Sequence, residues 1–302
     1  PVFDDTLRMQ DDYSLGFIRN TPEDGFPLYA GKARYFDEIE LGNDGLRGSG
    51  KFEYLTSVVY SEDIVFYPDS TAMLSNAISI SEVNKGIEFP QVSNTKTYCF
   101  YQPYLDKLSI SQTHDMFSMY SKKSSLNGNL LLQPIGLTGN GIMKLDLAEV
   151  SSNFFSFNST WFKADTANLN VFDNNNSTAF NAQNLRANID LSDREGVFYS
   201  NGSGSYVTFP ASEYISYIDK LKWEMDKEQL TFGEKELNNS KGSKFISINS
   251  DQDSLSFIAS SADYSLKDFI INAHGVDSLN IADAVIFPDS GELIVERGAR
   301  IR

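Results

Sequence analysis

The sequence predicts a mainly β fold of repetitive, stacked antiparallel or solenoid-like β layers with few short helices, and three observations carry that prediction. Short apolar alternations recur, as in Ile246 and Ile248, Leu255, Phe257 and Ala259, and Leu293 and Val295, with turn residues roughly every 8–12 positions. Aromatic residues make up 13% of the chain, with 22 Phe and 15 Tyr, and such side chains suit a pleated surface better than a helix. One stretch is also used twice: Gly45-Leu-Arg-Gly-Ser-Gly50 and the run after it match Gly136-Leu-Thr-Gly-Asn-Gly141 and its continuation. Seven of the 22 residues from Gly45 to Phe66 are identical at that offset (Gly45, Leu46, Gly48, Gly50, Val59, Ser61 and Phe66), where chance supplies about one or two.

Taken in order, residues 1–97 read as a first β repeat unit behind an acidic entry segment that holds Asp4, Asp5, Asp11 and Asp12. Asn20-Thr-Pro22 and Asp24-Gly25 are turn signals, Ile39 and Leu41 share a strand face, and Asn43-Asp-Gly45 turns into the repeat. The repeat closes at Phe66-Tyr-Pro-Asp-Ser70, because Pro68 has no N–H to give a ladder. Phe89-Pro90, Phe209-Pro210 and Phe287-Pro-Asp-Ser290 punctuate later runs in the same way. Residues 98–125, aromatic and uneven, read as an irregular connection. A second β repeat unit spans 126–236 and opens on the hairpin signal Leu126-Asn-Gly-Asn-Leu130. Within it, Ser212 to Phe232 fits a short turn or helix and then a strand. Residues 237–302 form C-terminal β layers behind a polar loop from Leu237 to Ser243. The segments are equally compatible with one elongated domain, since single cores grow to about 250–300 residues.

Bulk properties narrow the partners. The chain carries 41 acidic against 25 basic residues, a net charge of −16, which repels phosphate backbones and argues against nucleic acid. No run of about 18 apolar residues is present to insert into a membrane as a helix. Pro1-Val-Phe-Asp-Asp-Thr6 is neither a charged n-region nor an apolar one, so the chain reads as a fragment of something longer. The single cysteine, Cys99, sits between Tyr98 and Phe100 and is expected to be a buried thiol.

Few residue groups carry chemistry. The two Gly-x-x-Gly-x-Gly words lack the Lys-Ser/Thr of a phosphate loop, and suit a bulge or close backbone approach. His114-Asp115, with Ser111 near, has no nucleophile elbow beside it and reads as a surface histidine. Glu62 with Asp63, Asp190 with Asp193 and Glu195, and Asp251 with Asp253 are the carboxylate clusters a glycosidase would need at about 5–9 Å. Asp190, Asp193, Glu195, Asp251 and Asp253 are also the candidate metal ligands, with Ca2+ as the cation such oxygen donors suit. No other cofactor is implied. Tyr101, Tyr104, Trp161 and Trp223 are the candidate sugar-stacking residues, Tyr101 and Tyr104 foremost because they flank Pro103.

The words from Gly45 to Gly50, Tyr54 to Ser57, Phe66 to Ser70, Gly136 to Gly141, Phe162 to Thr166, Phe245 to Ile248, Asp251 to Leu255 and Ile281 to Ala284 together resemble interior segments of very long, exported envelope proteins of Bacteroidetes bacteria. The resemblance implies a cell-envelope location, in the periplasm or on the outer surface, and an extended β-rich body. It carries over no functional residue. Asp5-Thr-Leu7, Asp69-Ser-Thr71, Asp165-Thr-Ala167, Asp253-Ser-Leu255 and Asp277-Ser-Leu279 are similar to O-glycosylation sites of such proteins. The glycine-spaced alternation bears a weaker likeness to AsmA- and TamB-like repeats, which implies a lipid-handling β-groove. The leading expectation is a non-enzymatic structural or interaction module with a protein or glycan partner. The alternatives are a carbohydrate-binding or adhesive module, a polysaccharide hydrolase or lyase on a β-solenoid, and the lipid groove.

Overall fold

The computed structural model describes residues 7–9, 15–202, 204–233, 242–281 and 283–302. Asp4, Asp5, Asp11, Asp12 and residues 237–241 of the polar loop lie outside them. Among the described residues the protein is mainly β, and its helical elements are four 3-10 turns of three residues. Two compact units divide the chain, Pro1–Met143 with Ser156–Ser159, and Lys144–Phe155 with Thr160–Arg302.

The first unit begins with β1 (Arg8–Met9), β2 (Leu15–Asn20) and β3 (Phe26–Leu28), and β2 and β3 both pair with β4 (Ala33–Gly42). Next come β5 (Gly45–Tyr54) and β6 (Ser57–Phe66), joined through tight turns at Asn43-Asp44 and Leu55-Thr56. The chain then runs back and forth through β7 (Thr71–Ser75), β8 (Ala77–Ile80), β9 (Val92–Asn94), β10 (Thr97–Gln102), β11 (Lys107–Gln112), β12 (Phe117–Met119), β13 (Ser124–Gln133) and β14 (Gly136–Lys144). Asn76 alone separates β7 from β8, and both keep one register along β6, with Asp63 opposite Leu74 and Tyr60 opposite Ala77.

The run through β6, the run from β7 to β8 and the run from β9 to β10 each change their inward phase partway along. On β6 the buried residues are Ser57, Val59 and Ser61, then Ile64 and Phe66, because the register slips between Gly48 and Gly50 of β5 and leaves an extra residue on β6. The buried residues step likewise by three from Ser75 to Ile78 and from Asn94 to Thr97, whereas β13 keeps one phase through Leu126, Leu130 and Leu132. A bulge on β6 in line with the breaks between β7 and β8 and between β9 and β10 creases the sheet there. The pairings thereby close an eight-stranded barrel, β6–β7–β10–β11–β13–β12–β9–β8 and back to β6. Its interior is filled. Met73, Ile78, Ile80, Val92, Cys99, Ile110, Phe117 and Met119 are at most 4% exposed, and each large side chain contributes about 2 kcal/mol of burial.

Two sequence expectations change here. The stretch 98–125 is regular, carrying β10, β11 and β12, since Cys99 and Tyr101, then Leu108 and Ile110, alternate inward on strands. Asn127-Gly-Asn129 is not a turn but the middle of β13, where a Cβ on Gly128 would collide with the Asn140 carbonyl oxygen.

The second unit carries β15 (Ala148–Phe157), β16 (Trp161–Phe172) and β17 (Thr178–Asp190). β17 then feeds two branches. One runs through β18 (Glu195–Ser200), while the other takes β19 (Tyr206–Phe209) and β20 (Tyr214–Tyr217). The first branch adds β21 (Lys220–Glu224) and β22 (Gln229–Gly233), and the second adds β23 (Ser243–Ser247) and β24 (Ser256–Ala259). β25 (Ser261–Ser265), β26 (Ile270–His274) and, beyond the two-stranded pair β27 (Leu279–Ile281) and β28 (Ala284–Ile286), β29 (Leu293–Val295) extend the first branch. The branches pack face to face through aromatic rings: Phe209 of one lies 4.9 Å from Tyr264 and 5.4 Å from Phe232 of the other. Ser212 to Phe232 opens on a turn at Ser212 and Glu213, as expected, and is strand from Tyr214, where alternate burial of Tyr214 and Ser216, then Leu221 and Trp223, follows the two-residue period.

Candidate functional site

The predicted stacking residues are not gathered. Tyr101 is wholly buried in the first unit, 4.7 Å from the Tyr54 ring and 5.4 Å from that of Phe52. Its hydroxyl has no hydrogen-bond partner among the described residues, and burial pushes its pKa up. Tyr104, two residues past β10, is 80% exposed. In the second unit, Trp223 is buried, while Trp161 is half-buried with the Lys163 ammonium 5.9 Å over its ring.

The carboxylate clusters are mostly occupied by local structure. Asp190 Oδ1 accepts from the Ser192 amide at 2.8 Å, the Ser192 hydroxyl at 2.6 Å and the Asp193 amide at 3.1 Å, which closes the turn into β18. Glu195 pairs with Lys222 at 2.8 Å. The Asp251 amide donates to Asn249, the N-cap of a 3-10 turn, and Asp253 takes a left-handed φ of 43° at its end. In the first unit, Glu62 and Asp63 sit on the β6 bulge, and Asp63 pairs with Arg47 at 2.9 Å. Among the described residues no group of three or more His, Cys, Asp or Glu side chains converges as a metal would require. His114 is exposed, and Asp115 accepts from Thr95 at 2.9 Å. Cys99 is buried beside Thr97, and burial pushes its thiol up to about 12. Of the Asp-Ser/Thr-x triplets, Thr166 and Ser254 are exposed, Ser278 is half-buried and Ser70 is buried.

A different set lies on the outward face of the first branch of the second unit. Register places Arg186 of β17 opposite Tyr199 of β18, and Tyr199 opposite Lys220 of β21. The Arg186 guanidinium is 5.1 Å and the Lys220 ammonium 5.9 Å from the Tyr199 ring centroid, and the ring is 37% exposed. Two residues along β17, Asn188 opposes Lys163, which reaches Trp161. Among the described residues no carboxylate pairs with Arg186 or Lys163. Sequence inspection missed Arg186, Tyr199 and Lys220 because they lie far apart in the chain and form no local word. The signal available was their common outward parity on β17, β18 and β21, which become neighbours only in the sheet.

No family model, curated protein or solved structure matches the chain.

Proposed function

We propose that the chain is a non-enzymatic structural and interaction module of a large exported envelope protein, with working surfaces on the outward faces of its sheets. The carrying observation is the filled interior: inward positions hold Phe52, Phe117, Phe180, Phe209, Phe232 and their neighbours, all buried. Space that a lipid groove would leave for acyl chains is taken by protein side chains. Chemistry-bearing groups consequently point outward, singly or as ion pairs. The envelope location and the stacking of repeated β layers rest on the resemblance described above and on the paired Gly/Ser words.

The test is incubation of the chain with neutral and acidic polysaccharides, reading new reducing ends and unsaturated products. No product is expected. Product formation abolished by Glu62→Gln, Asp190→Asn or Asp251→Asn would overturn the reading in favour of the hydrolase or lyase. A second reading, a carbohydrate-binding module, is favoured by one observation, the cation-flanked Tyr199 ring on an open sheet face.

A further inference from the structure

We propose that Arg186, Tyr199 and Lys220 form a binding site for a glycan that carries a single carboxylated sugar. The inference rests on the reading that the outward faces are the working surfaces. In a chain with 41 acidic and 25 basic residues, a cation on a strand surface is expected to find a carboxylate. Its neighbours do: Lys222 pairs with Glu195 at 2.8 Å, and Arg194 pairs with Asp146 at 3.1 Å and with Asp226 at 2.5 Å. Arg186 has no such partner among the described residues and lies instead beside an exposed ring. A planar guanidinium takes a carboxylate through two parallel N–H donors, while an aromatic surface meets the apolar C–H face of a pyranose. Together they recognise a ring and an acid on the same molecule. Lys220, across Tyr199 from Arg186, adds positive charge beside the ring.

Charge selects one carboxylate over many. Asp190 and Glu195 lie on the same strands as Arg186 and Tyr199, Asp165 lies on the neighbouring β16, and the chain as a whole carries −16. At physiological salt, charges beyond about 8 Å are screened, so one carboxylate can reach Arg186. A run of them would also meet the surrounding acid, which disfavours a polyuronate or a nucleic acid at this face.

The test uses the whole chain, titrated with a glucuronate-containing disaccharide and with its neutral glucose counterpart, read by isothermal calorimetry and tyrosine-ring NMR shifts. The acidic compound is expected to bind saturably, and the neutral one about tenfold more weakly. Arg186→Gln should remove that difference, Tyr199→Ala should weaken both compounds, and the far-UV spectrum should stay unchanged in each variant. Equal binding of the two compounds, no saturable binding, or retention of the preference in Arg186→Gln overturns the proposal. So does a polyuronate that binds more tightly per sugar. A concentration-dependent dimer dissolved by Arg186→Gln would assign the face to a second copy and also overturn it. Failure here leaves the structural reading standing, whereas released product would defeat that reading without touching the binding result.

Discussion

The two units bend their strands by the same device and finish differently. In the first, the interruptions at the crease are short: Asn76 between β7 and β8, two residues between β9 and β10, and four between β11 and β12. Both halves of each run therefore rejoin on β13, and the ring closes. In the second, five residues separate β18 from β19 and nine separate β22 from β23, and the branches do not come back to one strand among the described residues. The difference teaches that the length of chain spent at the crease decides whether a folded sheet closes or stays split. What holds the crease is common to both. A bulge frees backbone groups from the ladder, and a serine hydroxyl takes them up. Ser61 Oγ donates to Leu74 O at 2.8 Å and Asp63 O at 2.9 Å, and accepts from the Asp63 amide at 3.1 Å. Ser152 Oγ, its counterpart in the repeated word, donates to Thr166 O at 2.7 Å and Phe154 O at 2.9 Å, and accepts from the Phe154 amide at 3.1 Å.

Two reporters separate the units, since Cys99 lies in the first and both tryptophans lie in the second. The largest effect is expected at crease glycines. Gly50 has a φ of 157° and its Cβ would strike the Phe36 carbonyl, while Gly233 has a φ of 77° and its Cβ would lie 2.6 Å from the Ser260 carbonyl. Alanine at either site should cost about 3 kcal/mol through overpacking and backbone strain. Gly50→Ala should speed thiol labelling of Cys99, and Gly233→Ala should shift tryptophan emission in urea. Gly45→Ala, in open space with a φ of 92°, should cost only about 1 kcal/mol. Equal losses at Gly45 and Gly50 would remove close approach as the reason for the repeated glycines.

Alkaline pH should act on both units. Burial raises the hydroxyls of Tyr35, Tyr54 and Tyr101 in the first and of Tyr214 and Tyr264 in the second, with Tyr214 pushed up to about 12. These groups stay protonated in the fold where the unfolded chain ionises, so their stabilisation is complete below about pH 10 and is lost as pH rises above it. Tyr214 alone should cost about 2 kcal/mol between pH 10 and 12. A pH-independent urea midpoint from pH 9 to 11.5 would show that the buried hydroxyls find solvent in the folded state.

Serine substitutions should be weaker and unequal. Ser61 is 3% exposed, so Ser61→Ala should cost about 2 kcal/mol, whereas half-buried Ser152 lets water replace the lost hydroxyl and Ser152→Ala should cost about 1 kcal/mol. Reversal of that order, read by thiol labelling for Ser61 and tryptophan emission for Ser152, would mean that burial does not set the value of the crease bond.

The strand content and the Phe-Pro endings were legible in the sequence because alternation and a missing N–H are local properties. β6, β19 and β28 end at Phe66, Phe209 and Ile286, within two residues of a proline. Gly128 misled because Asn-Gly at a turn and Asn-Gly under a neighbouring backbone look alike until the partner strand is known. The candidate site was hidden for a related reason. Tyr101 and Tyr104 are close in the chain but strand parity and the following turn send one inward and the other outward, whereas Arg186, Tyr199 and Lys220 meet only through register.

The smallest expected effect is a contrast between two adjacent tyrosines of the first unit. The Tyr54 hydroxyl donates to the Asp106 carbonyl at 2.8 Å, and Tyr54→Phe leaves that acceptor and its surroundings short of a donor, at a cost of about 1 kcal/mol. The Tyr101 hydroxyl, 0% exposed as a residue, is desolvated by burial and has no protein hydrogen-bond partner among the described residues. Tyr101→Phe removes that desolvated group and keeps the ring against Phe52 and Tyr54, so stability should stay level or rise by up to about 1 kcal/mol. The urea midpoint of each variant, followed through Cys99 labelling, measures the difference. A loss at Tyr101 matching that at Tyr54 would reveal an ordered water on the Tyr101 hydroxyl, and would make the core between the two layers of the first unit wetter than its side-chain packing shows.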